Sequence, residues 1–409
     1  MRIAMMTNNY KPVIGGVPIS IERLAQGLRK RGHTVYIFAP DCGHAPQEPF
    51  VIRCKTLDTR LTGEFPVPSP FDPGIEDMFR CLQIDLIHVH HPMVMGQIAL
   101  HLGEKYQIPV VYTYHTRYEM YLHYLKPYAV LEEHARENRA AQEAVRCIRD
   151  VTVPGLIRSF MRRCDLIFAP TPTMAEYLES ENLAVPVRVM PTGLSSQAYF
   201  QEPSAVQTLR EYFLEDKKYL LTTVSRLAKE KNFDFMLRAL AVLKEQIGDV
   251  FRVLVIGNGP ERENLEQLAN SLGLSDNIAF LGFLPNDQLG MYHRAGDCFL
   301  FSSCSETQGI VLLEAMAAHT PVVALEASGV RDVVENGVNG FMTAPDEWLW
   351  ATRVRQILER ESLRKRLGEN AYQTALRYRG EDVARIAEES YRQVLDGRTL
   401  TYQDLGLTV

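Results

Sequence analysis

The 409-residue chain has no stretch of about 18 apolar residues, so no segment is expected to span a bilayer. The apolar start, residues 1–6, is too short for a secretory leader, and polar Thr7-Asn8-Asn9 follow at once. Cysteine is sparse and shows no pairing pattern. The seven residues at 42, 54, 81, 147, 164, 298 and 304 are odd in number and contain no C-x-x-C, which argues against a disulfide framework and a thiolate zinc site and points to a reducing compartment. D-x-D is missing too, so a metal-held diphosphate is not indicated. Excess charge of one sign is also small: the net charge is −6, made up of +1 over residues 1–200 and −7 over residues 201–409. That balance excludes nucleic acid as the main partner and leaves a membrane face possible only on the N-terminal half.

What is present reads as a soluble globular enzyme, with 46% hydrophobic and 23% charged residues. The length calls for two α/β domains of roughly 200 residues each. Residues 3–6 form a short buried strand, 17–31 a helix with Ile21, Leu24, Ala25 and Leu28 at helical spacing, and 35–38 the next strand. Residues 41–80, rich in Pro and Gly, are expected to wander. The pattern resumes with strands at 86–90, 110–113, 165–170 and 187–190, helices over 94–106 and 130–149, and Thr171-Pro172-Thr173 capping a further helix. A hinge is expected over 191–203. Beyond it come strands at 219–224, 251–256, 298–301 and 322–324 and a further strand end and loop over 278–285, with Phe235, Leu237, Leu240 and Leu243 on a core-facing helix. The loop 329–332 is expected to continue the sheet, with helices over 346–394.

The run Ser305-Glu306-Thr307-Gln308-Gly309-Ile310 follows a buried strand and leads into a helix. Such a helix start presents unpaired N–H groups and a positive dipole end, so a phosphate fits there, and Gly309 lets it approach the backbone. Glu306 and Glu314 bracket the place and are better matched to hydroxyl groups than to phosphate. Phosphates in the middle and hydroxyl-rich rings at both ends describe a nucleotide-sugar. Plain capping by Ser305 or Thr307 is the alternative. Arg226 and Lys231 flank a strand-to-helix loop, where cations could neutralise a leaving diphosphate. Gly15-Gly16 precede the first helix, and Gly257-Asn258-Gly259 end a strand without the third glycine of a dinucleotide site. His115 lies at the carboxyl edge of a parallel sheet, where such sheets hold ligands. The other histidines (His88, His90, His91, His123, His134) lack the spacing of a metal site.

These motifs, in this order and over nearly the whole chain, resemble glycosyltransferase family 4, a retaining family. The carriers are the glycine pair, the post-strand histidine, Arg226-x4-Lys231, strand-G-x-G and Glu306-x7-Glu314. The resemblance implies an α/β GT-B fold, two Rossmann-like doubly wound domains facing each other across a cleft. Residues 1–195 would bind the acceptor, 196–380 the donor, and a helix within 381–409 would cross back to the first domain. It places His115 and Glu306 at the transferred sugar, Glu314 at the ribose, and Arg226 and Lys231 at the diphosphate. Gly15, Gly16, Gly257, Asn258, Phe283, Thr307, Gln308, Gly309 and Ile310 would line the donor. Most members have an aromatic residue after the first Glu, as E-x-F-G. Glu306-Thr307-Gln308-Gly309 departs from this and, with the aromatic and basic segment 117–128, looks like the branch that glucosylates diacylglycerol.

Between 117 and 163 basic residues exceed acidic ones by three, and Tyr118, Tyr121, Tyr124, Lys126, Arg158, Arg162 and Arg163 are the expected contacts with lipid acceptor and anionic membrane. A solvated face packed on its own domain is the alternative. The expectation is therefore a cytoplasmic, peripheral glycosyltransferase using UDP-glucose, with no metal or cofactor. The alternatives are a GDP-mannose donor, a polyprenyl-linked, phosphatidylinositol or soluble acceptor, a nucleotide-sugar 2-epimerase, or a non-catalytic binder.

Overall fold

The computed structural model describes residues 1–13, 15–43, 47–57, 67–70, 72–122, 125–136 and 138–397, with Lys126 described by its backbone alone. Tyr124 and the Lys126 side chain, both expected at a membrane, lie outside what is described. The chain forms two compact units, Met1–Gly193 together with the chain from Glu381 onward, and Leu194–Gly380.

Unit 1 is a seven-stranded parallel sheet in the order β3-β2-β1-β4-β5-β6-β7. Its strands are β1 (Arg2–Met6), β2 (Thr34–Pro40), β3 (Val51–Cys54), β4 (Leu86–Val89), β5 (Val110–Thr113), β6 (Leu166–Ala169) and β7 (Val187–Val189). Side chains alternate across a strand, so β1 must be apolar on both faces to lie inside. It is: Ile3 and Met5 enter one core cluster, Ala4 and Met6 the other.

Helix α1 (Gly16–Lys30) covers the Ile3 side with Ile21, Leu24, Ala25 and Leu28. Helix α2 (Pro73–Leu82) covers the other with Ile75 and Phe79. Helix α3 (Val94–Tyr106) lies on the α2 side. The helical stretch after β5 is three helices, α4 (Lys126–His134), α5 (Arg139–Cys147) and α6 (Val153–Met161), with a π-helical turn over Ile148–Thr152. Helix α7 (Pro172–Ser180) is capped by Thr171, whose Oγ1 accepts from the Met174 N–H at 3.3 Å.

Residues 41–80 do not simply wander. Val51 to Cys54 pair with Ile37 to Pro40, and α2 starts on Asp72, whose carboxylate accepts from the Gly74 N–H at 3.1 Å. A four-residue edge strand and a helix opened by Pro73 are short signals inside turn-rich sequence, which is why composition hides them.

Unit 2 opens with helix α8 (Pro203–Leu214) and holds a six-stranded parallel sheet in the order β10-β9-β8-β11-β12-β13. The strands are β8 (Tyr219–Val224), β9 (Phe251–Ile256), β10 (Ile278–Gly282), β11 (Cys298–Phe301), β12 (Val322–Leu325) and β13 (Gly340–Thr343). Between them run α9 (Phe233–Ile247), α10 (Arg262–Ser271), α11 (Asn286–Ala295), α12 (Ile310–Ala317) and the single turn α13 (Ser328–Arg331). Phe235, Leu237, Leu240 and Leu243 of α9 are all buried in one core cluster. Residues 329–332 do not continue the sheet: Val330 is buried on the helical turn Ser328–Arg331, and Val333 is buried just after it. Helices α14 (Glu347–Glu359) and α15 (Glu361–Ala375) close the unit.

The last helix, α16 (Gly380–Leu395), returns the chain to unit 1, where Val383, Ala387 and Tyr391 enter the same cluster as Ile3 and Met5. Its Glu388 is 5% exposed and pairs with Arg31, with Arg392 at 2.6 Å and with His33 at 3.3 Å. No helix among the described residues is long and apolar enough to cross a membrane.

Candidate active site

Each sheet has one point where successive connections run in opposite directions, and in open parallel sheets ligands sit beyond the strand ends there. In unit 2 this point lies at β8, whose neighbours are β9 and β11. The loop after β8 carries Arg226 and Lys231, and the loop after β11 carries Glu306.

The two loops are bound to each other. Lys231 Nζ donates to Glu306 Oε1 in an ion pair whose side chains are 17% and 21% exposed. Ser302 Oγ donates to the Lys231 carbonyl at 2.8 Å, and Ser303 Oγ reaches the Glu230 carbonyl at 3.5 Å. A third loop braces Glu306 from behind: its carbonyl accepts from the Gly329 N–H at 3.2 Å and from Ser328 Oγ at 3.3 Å. A Cβ at Gly329 would stand 2.7 Å from both the Glu306 carbonyl oxygen and the Gln308 nitrogen, so only glycine fits. The reading of 329–332 as continuing the sheet includes Gly329 but not its contact with Glu306. A glycine just past a buried strand was the available signal.

The Glu306 carboxyl feels two opposed effects. Burial works to raise it, yet the charge and hydrogen bond of Lys231, with a hydrogen bond from Ser303, hold it below its ordinary 4.5. A carboxyl lowered on folding adds stability above its unfolded value, and that contribution is lost as pH falls through the folded value. Lys231→Ala removes the cause of the lowering. The thermal deficit of that variant is therefore expected to be largest near neutrality and to shrink below pH 4.5, which melting curves of both proteins across that range will read.

Gly309, not Ser305 or Thr307, is the N-cap of α12, with φ 71° in the left-handed region. Gln308 is 3% exposed behind it. Glu314 is 8% exposed on a helix whose residues Leu312 to Ala317 are otherwise apolar and buried. Its electrostatic neighbour is His293, whose ring lies 5.2 Å from that of Phe299. Burial takes His293 down to about 4, and the Glu314 charge only partly opposes this, so His293 is neutral.

The glycines after β9 serve a backbone contact. The Gly257 N–H bonds the Gly282 carbonyl at 2.8 Å, and a Cβ at Gly257 would lie 1.9 Å from the Ser225 oxygen. A Cβ at Gly259 would lie 2.2 Å from the Leu227 oxygen. The Leu227 N–H bonds the Asn258 carbonyl at 3.1 Å, so the G-x-G turn is pressed onto the loop that carries Arg226. Arg226 and Asn258 are exposed, and Phe283, past the end of β10, is half exposed. Thr307 and Ile310 are partly exposed.

In unit 1 the corresponding point lies between β1 and β4. Thr7 Oγ1 bonds His91 Nδ1 at 2.9 Å, and Asn8 Oδ1 accepts from the Met95 N–H at 3.0 Å. Gly15 and Gly16 close the loop that follows, as N-cap and first residue of α1. His115 stands just beyond β5, its Nε2 2.9 Å from His90 Nδ1. Nothing local to residue 115 marks this partner. Among the described residues no three His, Cys, Asp or Glu side chains are arranged to hold a metal ion.

The expected membrane contacts divide. Tyr118 packs against the core of unit 1, and burial raises its hydroxyl far above the ordinary value. Arg158 pairs with Glu181 at 2.8 Å and Arg163 with Glu104 at 2.7 Å. Tyr121 is half-buried and Arg162 exposed. Large apolar side chains that face out are Leu125 (57%), Val130 (54%), Val151 (60%) and Leu156 (60%), on or beside α4–α6.

Two family models cover most of the chain: Glycosyltransferase Family 4 over residues 14–197 and Glycosyl transferases group 1 over residues 207–374. Among curated relatives, the alpha-monoglucosyldiacylglycerol synthase of Streptococcus pneumoniae is 31% identical over 79% of this chain and 71% of its own. The enzyme of the same description from Acholeplasma laidlawii is 27% identical over 97% and 98%. Among solved structures, Anabaena HepE in complex with UDP-glucose superposes with a TM-score of 0.71 at 21% identity, covering 96% of this chain and all of that one.

Proposed function

The chain belongs to glycosyltransferase family 4, and from that premise we propose that it moves glucose from UDP-glucose to the hydroxyl of a lipid such as 1,2-diacylglycerol at a membrane surface. The observation that carries the catalytic part is the pairing of Lys231 with Glu306, which puts a cation and a carboxylate side by side at the switch point, next to the start of α12. The diphosphate is assigned to Arg226, Lys231 and the amides at Gly309. There the charge that develops as the sugar–oxygen bond breaks meets donors already in position. Glu306 and His115 are assigned to sugar hydroxyls, and Glu314 to the ribose. Transfer is proposed to retain the anomeric configuration by the front-face course usual in the family, with no covalent intermediate, and to need no metal.

Two lines of support favour a lipid acceptor. Both curated relatives described above act, by their descriptions, on glucosyldiacylglycerol synthesis. Leu125, Val130, Val151 and Leu156 are exposed in the same stretch of chain, 125–162, as exposed Arg146 and Arg162, a mixture that suits the boundary between headgroups and acyl chains.

The test is to incubate the protein with UDP-glucose or with GDP-mannose, each with diacylglycerol liposomes, with and without EDTA. Expected is a glucosyl lipid from UDP-glucose alone, unaffected by EDTA. Product only from GDP-mannose would overturn the donor assignment, product only on a soluble acceptor the lipid assignment, and loss restored by magnesium the metal-free course. Release of free UDP without any acceptor would favour an epimerase instead.

A further inference from the structure

Five side chains of unit 1 are linked between the last helix and the loop after β5. The Tyr391 hydroxyl bonds His88 Nδ1 at 2.7 Å, and His88 Nε2 bonds Thr113 Oγ1 at 2.7 Å. The His88 and His90 rings lie 4.2 Å apart, and the His90 ring stacks near His115 at 5.2 Å with 21° between the planes. His88 and His90 are essentially unexposed. Burial takes His88 down to about 3 and holds His90 and His115 well below their ordinary value, so each ring is neutral and carries a single proton.

One proton therefore occupies the bond between His90 Nδ1 and His115 Nε2, and it has two possible owners. If His115 donates, the His90 proton must sit on Nε2, a buried atom with no hydrogen-bond partner among the described residues. If His90 donates, that same atom is only a bare lone pair. Buried N–H groups without an acceptor are rarer than under-used acceptors, because the N–H loses a full bond to water.

We infer that His90 is a positioning residue, which donates from Nδ1 to His115 Nε2 and so fixes His115 with its own proton on Nδ1. His115 then faces the sugar as a hydrogen-bond donor to a hydroxyl oxygen and does not act as a base toward it. This rests on the assignment of His115 to the transferred sugar. His90 is set in turn by its ring contact with His88, tilted at 35°, which Tyr391 and Thr113 hold in place.

The experiment uses the full chain labelled with ¹⁵N-histidine, the His115 signals being identified by their loss in His115→Ala. Expected in the unsubstituted protein is a protonated Nδ1 and a bare Nε2 at His115. His90→Phe keeps a ring but removes the donor, and should mix the two tautomers and lower turnover by about tenfold. His90→Asn, whose amide can donate from nearly the same place, should restore both. A His115 protonated on Nε2, or a His90→Phe protein matching His90→Asn in spectrum and turnover, would overturn the inference. The spectrum of the unsubstituted protein decides even where His90→Phe fails to fold. Full turnover in His115→Ala would remove the sugar assignment and leave the tautomer to be read by itself.

Discussion

Lys231→Ala is expected to cut turnover by about 10²–10³-fold, the range seen when one preorganised donor to a developing anion is removed. The thermal midpoint should meanwhile move by only about 2–4 °C, as for a lost contact of about 1 kcal/mol in a unit of this size. Two functions of Lys231 are separable in this way. Its bond to Glu306 is a partly exposed ion pair, and the two loops remain tied by Ser302 and Ser303 without it. Its charge beside the departing diphosphate has no such substitute, because Ser302 and Ser303 carry none. Lys231→Arg keeps a cation and should recover part of the rate. The observation that sinks the clamp role is a parallel fall: turnover and midpoint declining together, with Lys231→Arg no better than alanine.

The second large effect comes from a glycine with no catalytic chemistry at all. Gly257→Ala is expected to destabilise unit 2 by on the order of 3 kcal/mol and to abolish turnover. Its φ of 134° is one that L side chains rarely adopt, and the added Cβ would lie 1.9 Å from a backbone oxygen of Ser225. Backbone cannot swing aside like a long side chain, so the loop after β8 must part from the loop after β9. Arg226 and Lys231 would then leave the strand ends. Gly273→Ala is the control. It has a φ of 67° with nothing within 4 Å of the added atom, and should cost only the conformational strain of about 1–2 kcal/mol. Equal losses in the two variants, read from thermal midpoints, would show that close approach is not what Gly257 provides.

The contrast between these positions explains what was legible in the sequence. β8 matches its expected bounds because a strand buried on both faces is a continuous apolar run, and the core face of α9 was legible because Phe235, Leu237, Leu240 and Leu243 recur along it. β3 and α2 were hidden because an edge strand of four residues and a ten-residue helix behind a proline leave little periodic signal. In the site, spacing within one segment could be read directly: Glu306 to Glu314, or Arg226 to Lys231. What could not be read is pairing over long separations. Lys231 meets Glu306 across 75 residues and Tyr391 meets His88 across 303, and neither partner is marked locally. Among many histidines near the strand ends, only three-dimensional packing singles out His90 as the one bonded to His115.

Helix α16 carries a consequence for how the protein is made. All seven strands of unit 1 have been synthesised once Val189 is added, yet Arg31, His33 and His88 must wait for Glu388 and Tyr391, nearly two hundred residues later. Unit 2 is one uninterrupted stretch from Leu194 to Gly380, so it is whole first, although it begins second. During synthesis the nascent N-terminal unit thus stands with an uncovered seam along β1 and α1, and the arrival of α16 is the event that lets it close.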